Sequence, residues 1–68
     1  MVFKKVTLQG TSPESFEAAT DEALNRATQT IDHVKWAEVQ DMGIEIASVD
    51  EPEYQVELEI AFEVTPPE

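Results

Sequence analysis

At 68 residues, with no cysteine and a single histidine, the chain cannot be stapled by disulfides, and a thiolate or multi-histidine zinc site is excluded. Asp and Glu number 15 against 4 Lys and Arg, a net charge of −11. That balance argues against nucleic-acid or anionic-membrane partners, which need concentrated positive charge. A domain this small buries only about 60% of the surface its unfolded chain exposes, so assembly with copies of itself is the expected source of further stability.

Residues 2–9 read as a strand, with Val2, Lys4, Val6 and Leu8 on one face and Phe3, Lys5 and Thr7 on the other. Gly10 is expected to end it. Thr11 or Ser12 is then the predicted helix N-cap, with Pro13 in the first turn and Glu14 facing the positive helix end. Phe16, Ala19, Ala23, Ala27 and Ile31 recur at helical spacing, widened by Leu24, against a polar face of Glu17, Asp21, Glu22, Asn25, Arg26 and Gln29. Residues 34–48 form a second extended stretch whose apolar alternation changes phase near Gly43, the expected site of a bulge or bend. A turn at Asp50–Glu53 leads to the cleanest strand, in which Tyr54, Val56, Leu58, Ile60, Phe62 and Val64 alternate with Gln55, Glu57, Glu59, Ala61 and Glu63. Residues 65–68 are a tail, so 1–64 form one domain.

The order is β-α-β-β, an α+β fold with an antiparallel three-stranded sheet and one helix. A helix of about nineteen residues spans roughly 28 Å, whereas a strand of about twelve spans roughly 40 Å. The sheet must therefore wrap around the helix, and part of it must meet another subunit. No segment approaches the roughly 18 apolar residues of a membrane span, and no signal-peptide stretch follows the first lysines, so a cytoplasmic location is expected.

Trp36, the only tryptophan, stands on the polar face of its strand beside Lys35 and Glu38. Its ordinary role is an interface or core anchor, and its alternative role is a stacking platform for a planar ligand. Gln55 lies on an otherwise acidic face, and its carboxamide offers an acceptor and two donors, a match for an imide edge. Asp41 and Glu45 flank Gly43 as a carboxylate pair. There is no glycine-rich phosphate loop and no nucleophile–base constellation around His33, so no enzyme is expected.

Val2-Phe3-Lys4-Lys5-Val6, Gly10-Thr11-Ser12, the acidic alanine-rich helix, Val34-Lys35-Trp36-Ala37-Glu38-Val39 and the final strand from Tyr54 to Val64 together resemble the dodecin family. The resemblance is to the archaeal halophilic members above all, in keeping with the acidity. It implies a protomer whose sheet wraps around its helix, assembled as a hollow homododecamer. It further implies a flavin storage and buffering protein that holds flavins in pairs between symmetry-related Trp36 side chains and quenches their photochemistry. Gln55 then bonds the ring edge, Asp41 and Glu45 line the pocket, and Lys35 lies beside the tryptophan. Many bacterial relatives carry an arginine just beyond the Gly43 region that favours a phosphorylated flavin. Here that stretch reads Ile44-Glu45-Ile46, which favours riboflavin or lumichrome over FMN. The competing reading is an acidic cage whose main ligands are cations such as Mg2+ or Na+, with flavin incidental.

Overall fold

The residue run with the cleanest alternation forms the centre of the sheet. The computed structural model describes residues 1–46 and 50–65. In chain order these form β1 (Val2–Ser12), α1 (Phe16–Thr30), β2 (Val34–Glu45) and β3 (Glu53–Val64). β3 lies between the other two strands and pairs antiparallel with both. The β-α-β-β order and the three-stranded antiparallel sheet are as the sequence predicts. The last residues of the second predicted extended stretch, 47–48, and tail residues 66–68 lie outside the described residues.

The inner face of β3 supplies Val56, Leu58 and Ile60, all fully buried against Ala19, Ala23 and Ala27 of the helix. Small alanine side chains let the helix backbone come close to the sheet. The approach is closest at Gly10, where an added Cβ would meet the Ala19 carbonyl oxygen at 2.0 Å and the Ala23 Cβ at 2.9 Å. Phe16, Leu24 and Ile31 flank this seam, as their spacing predicts.

The start of the helix departs from the sequence reading. Gly10 does not end β1, and neither Thr11 nor Ser12 caps the helix. The strand continues to Ser12, which pairs with Tyr54, because β3 is long enough to hold the whole run in its ladder. Ser12 Oγ accepts from the Glu14 N–H at 3.1 Å, a local turn bond. The N-cap is Ser15, in extended conformation, whose Oγ accepts from the Ala18 N–H at 3.0 Å. Pro13 consequently precedes the helix.

The helix is thus 15 residues long, about 22 Å, beneath strands of about 40 Å. The shortfall is greater than the sequence suggests. α1 lies over β1 and β3, and the inner face of β2 extends past it. Val39, Met42, Ile44 and Ile46 are about half exposed or more. A run of apolar side chains on one sheet face, left uncovered by α1, is the mark of an interaction surface.

β2 carries two irregularities of register, one between Val34 and Trp36 and one between Val39 and Asp41. The phase change predicted near Gly43 therefore falls at Gln40, with a second at Lys35. Gly43 itself is in register opposite Gln55 and has no positive φ. A bulge needs an extra residue, and a glycine is not required to supply it.

Candidate functional site

The register places the candidate residues in rows across the outer sheet face. Lys5, Ala61 and Trp36 form one row, and Thr7, Glu59 and Glu38 form the next. Gln9, Glu57 and Asp41 follow, then Thr11, Gln55 and Gly43. The bulge at Gln40 is what keeps Asp41 on this face after Trp36 and Glu38. Without it Asp41 and Glu45 would turn inward, since a shift of one residue reverses every side chain.

Around Trp36 the face is densely bonded. Trp36 is 40% exposed. Phe3 packs on it with ring centroids 4.9 Å apart and planes at 63°, an edge-to-face geometry. Lys5 places its ammonium 5.9 Å from the ring centroid, within cation–π range. The indole Nε1–H donates to Glu38 Oε2 at 2.8 Å, and the same oxygen accepts from Lys5 Nζ at 2.8 Å. Lys5 also lies 3.3 Å from Glu59. The hydrogen bond and charge of Lys5, then the indole N–H, hold the Glu38 carboxyl below its ordinary value of 4.5. Bonds to Glu38 and Glu59 raise Lys5 above its ordinary 10.5.

This cluster joins strands that do not touch. Lys5 on β1 reaches Trp36 and Glu38 on β2 over the intervening β3, a separation of about 9.6 Å for two strand spacings. It can do so because β3 presents Ala61 there, fully buried beneath its neighbours. Sequence reasoning missed Phe3, Lys5 and the role of Glu38. The available signal was Ala61, the one small apolar residue in a row of Gln55, Glu57, Glu59 and Glu63. Lys35, by contrast, occupies the bulge and lies 3.8 Å from Glu63. Its interaction is with β3's carboxylate, and Lys5 is the ammonium over the ring.

Gln55, Asp41 and Glu45 form a second group. Gln55 Nε2 donates to Glu45 Oε2 at 3.3 Å, leaving the Gln55 carbonyl oxygen to meet a donor. Asp41 accepts from the Met42 N–H at 2.9 Å. Gln9, Asp41, Met42, Gly43, Gln55 and Glu57 line a shallow open depression. Its space comes from Gly43, where an added Cβ would have nothing within 4 Å. Among the described residues, no group of three or more His, Cys, Asp or Glu side chains is placed to hold a metal ion.

The two groups are far apart within one chain. Trp36 sits beside Ala61 and Gly43 beside Gln55. The rows are six residue steps apart along β3, about 20 Å at roughly 3.3 Å per residue. A fused tricyclic ring is shorter than that. Within one protomer Trp36 and Gln55 therefore stand toward opposite ends of the outer sheet face.

Fold and site together define a small one-helix protomer with an exposed aromatic platform at one end of its outer sheet face, a polar depression toward the other, and an uncovered apolar face on β2. The dodecin family model matches residues 2–65, and the chain belongs to the dodecin family. It is 48% identical over 61 residues to the dodecin of Thermus thermophilus, spanning 90% of this chain and 88% of that protein. It is 34% identical over 65 residues to the calcium dodecin of Mycobacterium tuberculosis, spanning 96% and 92%. A crystal structure of a Thermus thermophilus protein superposes with a TM-score of 0.86 at 44% identity, covering 97% of each chain. The crystal structure of the Mycobacterium tuberculosis calcium dodecin gives 0.85 at 32% identity, covering 100% of this chain and 97% of that one. No helix among the described residues is long and apolar enough to cross a membrane.

Proposed function

We propose that the protein sequesters and stores flavins of the riboflavin type at interfaces between copies of itself, as a binding protein and not an enzyme. The carrying observation is the half-exposed indole of Trp36, fixed on the outer sheet face of a dodecin-family chain. The ring offers a flat apolar surface, and stacking on it is worth about 1 kcal/mol beyond area burial. Gln55, with its amide nitrogen bonded to Glu45, presents its carbonyl oxygen to the imide N–H of a flavin. Because these groups lie about 20 Å apart in one protomer, the pocket is composite, with Trp36 and Gln55 from different copies. The uncovered β2 residues Val39, Met42, Ile44 and Ile46 support such assembly, for which the family resemblance implies a homododecamer. Asp41 and Glu45 would line the sugar-like side chain, with Lys35 at the margin.

Riboflavin and lumichrome fit better than FMN. The chain's one arginine, Arg26, is on the helix and 3.6 Å from Glu22, while the depression beside Gln55 is lined by Asp41 and Glu57. A phosphate there would face carboxylates. Quenching of flavin photochemistry by the stacked indole, and hence photoprotection, belongs to the same reading. Titrating riboflavin with the protein should strongly quench its emission, and Trp36→Ala should remove most of that effect. Unchanged emission at micromolar protein would contradict the proposal.

A second reading is favoured by the calcium dodecin among the relatives and by the carboxylates of the outer face. The assembled protein would then hold cations such as Ca2+, Mg2+ or Na+ as its main ligands. Calorimetry separates the two readings, since a cation store releases or absorbs heat with Ca2+ whether or not riboflavin is present.

A further inference from the structure

A tryptophan that is 40% exposed on an open sheet face is not oriented by packing alone. Its strand is bulged immediately before it, between Val34 and Trp36, and a bulge re-aims the side chains beside it. Holding a side chain of this size in one rotamer while a ligand binds carries an ordering cost. The structure removes that freedom in advance. A single carboxylate oxygen, Glu38 Oε2, accepts from the indole N–H and from the Lys5 ammonium, each at 2.8 Å. Lys5 is itself tethered to Glu59 at 3.3 Å and stands over the ring. Phe3 meets the ring edge-to-face. The indole is thus pinned at its polar corner by a charged bond and braced at its ring by an aromatic neighbour. Charge-assisted hydrogen bonds are about twice as strong as neutral ones.

We propose that Glu38, anchored across the sheet by Lys5, is the positioning residue that fixes the plane of Trp36 for stacking. It touches no ligand and acts through the indole. The inference rests on the flavin-binding reading for its consequence, and on the ligand-free geometry for its cause, so the two can fail separately.

Trp36 is the sole tryptophan, so time-resolved fluorescence anisotropy of the full-length protein reports its motion alone. In the ligand-free protein, Glu38→Ala should increase the amplitude of fast indole motion. Glu38→Gln, whose side-chain oxygen still accepts from the indole N–H, should restore most of the rigidity. Riboflavin should bind Glu38→Ala about three- to tenfold more weakly, the scale expected when one side chain must be ordered at binding, and bind Glu38→Gln with an intermediate loss. Lys5→Met keeps the aliphatic stem and frees Glu38, and should also loosen the ring. If Glu38→Ala does not assemble, Lys5→Met decides the question. Unchanged indole motion in the alanine variant, or in Lys5→Met where that variant replaces it, would overturn the proposal. So would increased motion with riboflavin affinity still within twofold of the unsubstituted protein. Should the unsubstituted protein fail to bind riboflavin, the flavin reading falls, and the anisotropy alone decides whether Glu38 positions the indole.

Discussion

Replacing Gly10 with alanine tests the helix–sheet seam. The added Cβ would lie 2.0 Å from the Ala19 carbonyl oxygen, where ordinary contact begins at 3.4 Å, a deficit of 3.4 − 2.0 = 1.4 Å. The obstacle is helix backbone, so no side-chain rotation relieves it. Either α1 lifts from β1 or the strand bends away, and both open the contacts of Ala19, Ala23 and Ala27 with Val56, Leu58 and Ile60. Overpacking a core with one methyl costs about 1–3 kcal/mol, and a backbone clash belongs at the upper end. With a urea dependence of about 1 kcal/mol per molar for so small a chain, a 3 kcal/mol loss lowers the midpoint by about 3 M. Far-UV circular dichroism in urea, at fixed protein concentration and high salt, reads the shift. Gly43→Ala is the control. Its Cβ meets nothing within 4 Å and its φ is not positive, so removing glycine's freedom should leave the midpoint equal or raise stability by about 0.4–1 kcal/mol. A Gly10→Ala midpoint matching that of the unsubstituted protein would refute the close seam.

His33 has φ of +63°, a left-handed conformation that costs a side-chain-bearing residue about 1–2 kcal/mol. His33→Gly should therefore stabilise the protein by a net of about 0.5–1 kcal/mol after glycine's extra chain entropy, measured as a raised urea midpoint. The Glu38 carboxyl should titrate below 4.5. Because its folded value is depressed, its bond to Lys5 contributes above 4.5 and is lost as pH falls through the folded value. Lys5 is raised, so its contribution is full below 10.5 and is lost as pH rises through the folded value. Lys5→Met should move the Glu38 midpoint, followed by carboxyl NMR shifts, back toward 4.5, and no movement would contradict the pairing. With −11 per chain, assembly should weaken in millimolar salt, where screening is lost. Sedimentation showing an intact oligomer there would count against a salt-adapted surface.

How far the sequence discloses these features depends on which residues carry them. β3 was fully legible, since its strict alternation separates the core residues Val56, Leu58 and Ile60 from the outer Gln55, Glu57 and Glu59. The alanine stripe likewise located the buried face of α1. Gly10 misled because a glycine before Thr-Ser-Pro resembles a strand end, whereas its role here is to admit the helix backbone within a continuing strand. The cap moved to Ser15 for the same reason: long-range pairing with β3 outweighed local capping preference at Thr11 and Ser12. The bulges at Lys35 and Gln40 carry no glycine signature, so Gly43 drew the assignment. Trp36 and Gln55 were each visible singly. Their separation along β3, and the meeting of Phe3, Lys5 and Glu38 around the indole, depend on a strand order that adjacent sequence does not encode.

The central claim is a flavin pocket completed only between copies, with Trp36 from one and Gln55 from another. A crystal structure of the assembled protein soaked with riboflavin tests it most directly. The account predicts a flavin ring stacked on Trp36 with its imide edge at the Gln55 carboxamide of a different protomer. A ring bound elsewhere, or one held by Trp36 with no Gln55 within hydrogen-bonding distance, would contradict it.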